Sequence, residues 1–271
     1  MPELPEVETT VNGLQPIQSL TIKAFSIFNP NLRWPVDPEI SLLLENEIAL
    51  KIYRRAKYII LKFKSFHLVI HLGMTGKFTF SSPAESRKKH DHIEISFFNF
   101  NQVVRYNDPR RFGSVHLVRG KLEEFFLIKT LGVEPLSDEF SGDYLFQKAR
   151  NRQQAIKAFI MNQSIVVGVG NIYASEALFM TGIPPQKKSK QVSKKLMSNL
   201  TDNIKTVLSH AIEKGGSSIN DFFNTGGQAG YFQIEHQVYG REGLPCKKCG
   251  SFIKKIIIAQ RSSFFCRQCQ R

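Results

Sequence analysis

The chain has 271 residues, a length that fits one large or two modest domains. Its 37 Lys and Arg against 23 Asp and Glu give a formal net charge of +14, which favours a polyanionic partner. The hydrophobic content of 42% is enough for a folded core, and no apolar run approaches the roughly 18 residues that cross a bilayer. Because the N-terminus also lacks the basic and then apolar composition of a signal region, we expect a folded protein that is neither secreted nor inserted in a membrane.

The predicted elements change character along the chain. The first is an amphipathic helix over residues 3–18, with apolar residues at spacings of three and four. Short runs rich in Ile, Val and Phe then predict the strands of a β-sandwich or barrel: 22–27, 48–52, 58–63, 68–72, 92–98, 103–106 and 114–118. After residue 131, longer periods predict helices at 142–149, 152–161, 172–180 and 190–214, with 218–223 as a further candidate. The glycine-rich stretch 215–230 is typical of a mobile loop.

Two turns between the predicted strands carry side chains suited to DNA. One of them, Asp108-Pro-Arg-Arg-Phe-Gly113, places Arg110, which can follow a phosphate or a vacated base position, beside Phe112, which can insert between base steps. The other, His71-Leu-Gly-Met-Thr-Gly76, offers Met74 for a similar insertion. Ordinary core packing is the alternative for either apolar side chain.

A glycine-rich turn, Gly168-Val-Gly-Asn-Ile-Tyr173, lies between two predicted helices. Its glycines permit a tight turn with exposed backbone amides, and Asn171 is a suitable N-cap for the helix that follows. Such a turn can hold a phosphate group. A plain helix–helix connector is the alternative on these residues alone.

The four cysteines all lie near the C-terminus, as two C-x2-C pairs separated by sixteen residues: Cys246, Cys249, Cys266 and Cys269. This spacing is typical of a four-thiolate zinc site, and strand-like composition at 252–258 and 262–265 predicts a β-hairpin between the pairs. A closed four-cysteine site has no open position for substrate, so the zinc is expected to be structural. Disulfides or free thiols are the alternative. Arg261 is expected at the hairpin tip, where it would enter a DNA groove or remain a solvated turn residue.

The chain start combines a proline with two nearby carboxylates. Pro2 favours removal of Met1, which would leave a secondary amine at a helix start beside Glu3 and Glu6. The positive end of the helix dipole opposes protonation of that amine, whereas the carboxylates favour it. The unprotonated amine is a nucleophile that can form an iminium with a sugar carbon. Ordinary helix capping is the alternative interpretation.

Taken in chain order, these motifs resemble the bacterial formamidopyrimidine-DNA glycosylase family from the first residue to the last. The segments that carry the resemblance are 2–8, 54–58, 71–76, 108–113, 167–173, 230–232 and the cysteine-bracketed finger ending at Cys269. The resemblance implies an enzyme of base excision repair that removes 8-oxoguanine and formamidopyrimidines from duplex DNA and then cuts the strand by β- and δ-elimination.

The resemblance also implies roles for individual residues. The catalytic residues would be Pro2, which attacks C1′, Glu3, which serves as acid/base near the ribose oxygen, and Lys57. The lesion would be flipped out of the stack. The DNA-binding residues fall into three groups: a phosphate clamp of Lys57, Asn171 and Arg261; a void-filling set of Met74, Arg110 and Phe112; and Lys157 near the damaged base. Further matches near the DNA or lesion are Glu6, Tyr173, Tyr239, Ser217 and Ser218.

The expected architecture is α+β. An N-terminal helix and β-sandwich form a catalytic domain over 1–131, a helix-two-turn-helix domain covers 132–230, and a zinc-finger β-hairpin covers 231–271, with DNA in the cleft between them. One structural Zn²⁺ is expected. We expect a monomer that acts on double-stranded DNA containing oxidised purines or abasic sites, in the bacterial cytoplasm and in association with the nucleoid.

Two alternatives remain. The related branch that acts on oxidised pyrimidines usually begins Pro-Glu-Gly-Pro-Glu, and Leu4 here favours the purine branch. A zinc-containing DNA-binding protein without catalysis is the second alternative, against which the intact Pro2, Glu3 and Lys57 argue.

Overall fold

The computed structural model describes residues 2–215 and 236–271. The described residues divide into two compact units, one formed by residues 2–129 with 214–215 and the other by 130–213 with 236–271. The candidate helix at 218–223 and the candidates Ser217 and Ser218 lie outside the described residues. Within the described part of the chain, no helix is long and apolar enough to cross a membrane. The division into three domains stays a prediction.

The first unit begins with helix α1 (Leu4–Leu14), which a 3-10 turn (Gln15–Ile17) extends. This confirms the predicted N-terminal helix. The apolar residues at spacings of three and four all point into the core. The helix packs against strands β2 (Lys51–Arg55) and β3 (Tyr58–Lys62).

Two four-stranded antiparallel sheets make up the rest of this unit and confirm the predicted β-sandwich. One sheet has the order β2-β3-β4-β8, where β4 is Phe66–His71 and β8 is Ser114–Arg119. The other has the order β1-β6-β7-β5, with β1 at Ile22–Ile27, β5 at Lys77–Ser81, β6 at Asp91–Phe97 and β7 at Val103–Asn107. Apolar side chains of both sheets and of α1 share one hydrophobic core.

Three local features of this unit differ from the prediction. The strand expected at 48–52 instead spans Lys51–Arg55, because the charged residues at its end, up to Arg55, also pair with β3. Strand β5 was not predicted; its alternating polar and apolar residues pair with β7 at the sheet edge. Helix α2 (Glu39–Leu44) was also not predicted, since six residues are too few for a periodic signal.

The described helices of the second unit are α3 (Gly142–Ala149), α4 (Ile156–Ile160), α5 (Asn171–Thr181) and α6 (Lys194–Glu213). They confirm the four helices predicted in this region, with α4 shorter than expected. The chain before α4 is held extended, because Gln154 accepts hydrogen bonds from the amide and hydroxyl of Ser189 and Ala155 bridges to Lys188.

The C-terminal hairpin consists of β9 (Lys254–Ile258) and β10 (Arg261–Phe265). Both residues of its turn, Ala259 and Gln260, have positive φ, as a tight two-residue hairpin turn requires. Arg261 pairs with Ile258 as the first residue of β10, so it flanks the turn and does not occupy its tip.

Candidate active site and nucleic-acid interface

The start of α1 is buried and tightly capped. Pro2 is buried and Glu3 is the N-cap residue, with an extended backbone. Glu3 and Glu6 form a capping box in which the Glu3 amide donates to Glu6 Oε2 at 2.8 Å. The nitrogen of Pro2 therefore lies directly before a helix N-terminus whose dipole disfavours a positive charge.

Lys57 lies in the two-residue turn between β2 and β3. The strands pair up to Arg55 and Tyr58, and Ala56 has a φ of +54°, so the chain reverses within Ala56 and Lys57. Arg54 ties this turn to α1: its Nε is 2.5 Å from Glu8 Oε2 and its Nη1 donates to the carbonyl of Ala56 at 3.0 Å. The Lys57 side chain is buried, so its charge acts on a site of low polarity.

His71 ends β4 beside this lysine and is kept neutral. Burial, followed by repulsion from Lys57, Arg33 and His116, lowers the pKa of His71 to about 4, although Asp108 opposes this. Its Nδ1 accepts a hydrogen bond from the Gly73 amide at 3.0 Å, which requires that nitrogen to be unprotonated. Sequence analysis assigned His71 no role, although the residue begins one of the quoted motifs.

The void-filling candidates Met74, Arg110 and Phe112 are brought together by strand register. The chain crosses between the sheets twice at one edge: β4 leads to β5 through the Met74 turn, and β7 leads to β8 through the loop of Arg110 and Phe112. Met74 is 39% exposed and Phe112 is 45% exposed, and the Arg110 guanidinium carbon lies 4.7 Å from the Phe112 ring centroid. Both apolar side chains therefore lie at the surface and do not belong to the core.

In the second unit, Asn171 is the first residue of α5 and not its N-cap. Gly170 occupies the N-cap position. The Asn171 side chain instead accepts a hydrogen bond from Lys157 Nζ at 2.6 Å. The amide of Gly168 is also used within the protein, because it donates to Gln163 Oε1 at 2.9 Å.

Lys157 is only 1% exposed and connects three parts of the second unit. Besides Asn171, its Nζ donates to the carbonyl of Ser262 at 3.0 Å and to Ser263 Oγ at 2.9 Å. These serines directly follow Arg261, which is exposed. The expected contact of Lys157 with a damaged base stays a prediction, whereas its observed partners are the clamp candidate Asn171 and the hairpin.

Glu176 is a buried acid on α5 that sequence analysis did not single out. Its carboxylate accepts hydrogen bonds from three consecutive amides, those of Gln237, Val238 and Tyr239, at 2.8, 3.0 and 2.8 Å. It thereby fixes the chain where the described part resumes. The ring of Tyr239 packs against Phe264 of the hairpin, while the other candidate tyrosine, Tyr173, is buried in α5.

The four cysteines converge on one point. Their sulfur atoms all lie within 4.8 Å of one another, with Cys246 and Cys269 at 3.9 Å and Cys249 and Cys266 at 3.4 Å. These separations exclude disulfides and match the roughly 3.8 Å expected between thiolates in a tetrahedral site with Zn–S bonds of about 2.3 Å. The residues therefore fit one zinc ion held by four thiolates. Since no ligand position is left for substrate, such an ion would be structural.

The chain matches three family models in sequence order. The formamidopyrimidine-DNA glycosylase N-terminal domain matches residues 1–115, the formamidopyrimidine-DNA glycosylase H2TH domain matches 131–223, and a zinc finger found in FPG and IleRS matches 243–271. A formamidopyrimidine-DNA glycosylase of Hydrogenovibrio crunogenus is 48% identical over all of this chain and 97% of its own length. That of Pasteurella multocida is 45% identical over the whole of both chains.

Solved structures show the same similarity. A mutant Lactococcus lactis FPG in complex with a Fapy-dG containing DNA has a TM-score of 0.91 and 34% identity, over all of both chains. The complex of Lactococcus lactis Fpg with DNA containing an abasic site has a TM-score of 0.89 and 34% identity, over 99% of each chain.

Proposed function

The chain belongs to the formamidopyrimidine-DNA glycosylase family, and from this premise we propose that Pro2, freed by removal of Met1, is the nucleophile that bonds to the damaged nucleoside. As a member of that family the protein is a DNA glycosylase of base excision repair with AP lyase activity, acting on damaged purines. The proposal concerns which of its residues perform each step and the oxidised purines on which they act.

The proposed chemistry passes through one covalent intermediate. The Pro2 nitrogen lone pair bonds to C1′ and the nitrogen then gives up its proton, while the base departs with the electrons of the glycosidic bond and takes up a proton. Protonation of the ribose ring oxygen, for which Glu3 would be the acid, opens the ring and leaves an iminium. Loss of a C2′ proton then eliminates the 3′ phosphate, and a second elimination releases the 5′ phosphate. Water then hydrolyses the iminium, which frees Pro2 and releases the sugar remnant as an aldehyde, and the DNA product is a gap with phosphate on both sides.

The observation that carries this proposal is the capped, buried start of α1. The helix dipole favours the neutral and nucleophilic form of the Pro2 amine and opposes the influence of the Glu3 and Glu6 carboxylates, which favour the protonated form. Glu3 lies next to that nitrogen in the chain, and its backbone is fixed through Glu6. Lys57, in the turn that Arg54 ties to the same helix, would contribute its ammonium to the lesion phosphate.

The remaining site residues would bind the distorted duplex. Met74, Arg110 and Phe112 project from one edge of the sandwich and would fill the space left by the flipped nucleotide, at a cost of a few kcal/mol of unstacking that new contacts offset. Asn171 and Arg261 would hold phosphates near the lesion, and the observed Lys157 contacts would keep these two residues in place. The substrate would be nucleoid DNA in the cytoplasm.

Borohydride trapping tests the nucleophile. We expect borohydride to reduce the iminium formed with a duplex containing 8-oxoguanine opposite cytosine, and peptide mapping to locate the adduct at Pro2. The variant Glu3→Gln should lose base release, whereas Glu39→Gln, which removes an exposed acid at the start of α2, should keep the wild-type yield.

An adduct on an internal lysine, or full activity with Met1 retained, would contradict the role of Pro2. Trapping on an oxidised pyrimidine but not on 8-oxoguanine would assign the chain to the pyrimidine branch. Binding without any adduct would support the non-catalytic alternative.

A further inference from the structure

A single buried carboxylate lies at the base of the two turns that carry the void-filling residues. Asp108 follows β7 directly and is 0% exposed. Its Oδ1 accepts a hydrogen bond from Thr75 Oγ1 at 2.5 Å, and its Oδ2 accepts one from the Gly113 amide at 2.8 Å. Asp108 therefore contacts the Met74 turn with one oxygen and the end of its own loop with the other.

The Thr75 hydroxyl extends this link. While it donates to Asp108, it also accepts a hydrogen bond from the Arg110 amide at 3.2 Å. Thr75 directly follows Met74, and Arg110 precedes Phe112 by two residues. The hydroxyl thus links the backbone next to Met74 with the backbone of the Arg110–Phe112 loop. Its partner Asp108 lies 33 residues further along the chain.

The same two turns are also in direct backbone contact. Gly73 has a φ of +64°, and a Cβ at this position would lie 2.3 Å from the carbonyl carbon of Phe112. A Cβ on Gly113 would lie 1.8 Å from the Tyr106 hydroxyl, which itself approaches Asp108 Oδ2 at 3.4 Å. At Gly73 the backbones of the two turns therefore lie so close together that no side chain would fit between them.

We infer that Asp108 is a positioning residue which, through Thr75, joins the two turns into one rigid unit, so that Met74, Arg110 and Phe112 enter the DNA together. This inference rests on the proposed function, since it assumes that these three side chains fill the space that the flipped nucleotide leaves in the duplex. Because Asp108 is 0% exposed, we assign it no contact with DNA or with the reacting atoms. Its effect is to keep the inserted groups in register, and so to lower the barrier to holding the lesion outside the helix.

The sharpest test changes the hydroxyl of Thr75 and not its shape. The variant Thr75→Val should leave Asp108 Oδ1 and the Arg110 amide without this partner and slow excision of 8-oxoguanine from duplex DNA about tenfold in single-turnover assays. Cleavage of an abasic site in single-stranded DNA should keep the wild-type rate, because without a duplex there is no vacated space in a base stack for these side chains to fill. Thr75→Ser, which retains the hydroxyl, should restore duplex excision.

The matched control is Thr206→Val. Thr206 lies on α6, and its hydroxyl bonds only to the carbonyl of Asp202 in the same helix among the contacts of the described residues. This variant should behave as wild type with both substrates. Fluorescence of 2-aminopurine opposite the lesion supplies a second readout, and Thr75→Val should reduce the signal of insertion.

A double-mutant cycle keeps the inference testable if Thr75→Val does not fold. Met74→Ala and Phe112→Ala change exposed side chains only. If the two turns act as one unit, the double variant should be little slower than the slower single variant. Additive losses in the cycle, or equal duplex rates for Thr75→Val and wild type, would overturn the inference. A wild-type protein that excises nothing would instead refute the proposed function.

Discussion

Lys157 Nζ and Asn171 Oδ1 lie 2.6 Å apart, so the side chain of a phosphate-clamp candidate is oriented by an ammonium that solvent hardly reaches. The same ammonium holds the backbone just after Arg261, the other clamp candidate of this unit. A single buried lysine therefore sets the positions of two residues proposed to contact DNA.

Removing this ammonium should weaken both stability and DNA binding. Lys157→Met leaves the acceptors on Asn171, Ser262 and Ser263 without this donor, and we expect a loss of about 1–3 kcal/mol in the free energy of unfolding. Affinity for abasic-site DNA should fall at least as far as in Asn171→Ala, since Arg261 also loses its support, and the Lys157→Met/Asn171→Ala double variant should bind no more weakly than Lys157→Met. Lys195→Met, an exposed residue of α6, is the control for stability. Additive losses of affinity would contradict the positioning role.

Glu176 should matter for the same unit through the backbone. Glu176→Gln replaces a charged acceptor of three amides by a neutral group that accepts at one atom only, and should cost about 1–3 kcal/mol of unfolding free energy. Thermal denaturation of this variant beside Glu213→Gln, an exposed glutamate at the end of α6, provides the comparison. Equal melting temperatures for the two variants would show that the three hydrogen bonds contribute nothing.

Zinc removal should abolish the hairpin and with it much of the DNA affinity. The four thiolates repel one another when no cation lies between them, and metal binding supplies the folding free energy of small zinc modules. Metal analysis should find one zinc ion per chain, and complete chelation should lower DNA affinity. Retained affinity in demonstrably zinc-free protein would contradict this prediction.

The neutrality of His71 predicts a specific pH dependence of stability. The pKa of His71 is lowered in the folded protein to about 4, from an ordinary value of 6.5, first by burial and then by the cations around it. The unfolded chain therefore binds the proton more readily. The part of the unfolding free energy that depends on neutral His71 is fully present above pH 6.5. It is lost as the pH falls towards 4, and the total loss is up to about 3 kcal/mol.

His71→Asn isolates this effect, because the amide oxygen can still accept from Gly73 and does not titrate. Unfolding free energies of wild type and variant should diverge as the pH falls from 6.5 towards 4, with the wild type losing more. Parallel curves would contradict the assignment.

Electrostatic binding should follow the net charge. With a formal charge of +14, affinity for DNA should fall steeply as salt increases, since each phosphate contact releases counterions. Arg261→Ala should reduce the magnitude of the slope of log affinity against log salt by about 1, the value expected for the loss of one phosphate contact. A flat titration for the wild type would exclude the proposed phosphate clamp.

Local chemistry explains which features could be predicted. The C-x2-C pairs predict the metal site because two of its four ligands lie within each four-residue segment. The apolar periods predict α1 and α3 because a helix, too, is defined by residues close together in the chain. The short edge strand β5 was missed because its pairing with β7, and not its composition, makes it a strand. Asn171 looked like an N-cap because its neighbours are glycines, but a lysine fourteen residues earlier binds its side chain.

The amino-acid sequence by itself determined the family and the four cysteines of the zinc site, and it predicted the N-terminal nucleophile, since these depend on residue types at short and fixed spacings. Only the tertiary structure decided that Thr75 and Asp108 join two turns, and that Lys157 is buried between Asn171 and the hairpin. Such contacts follow from strand register and from burial, which depend on the packing of residues distant in the chain and leave no periodic trace in the sequence.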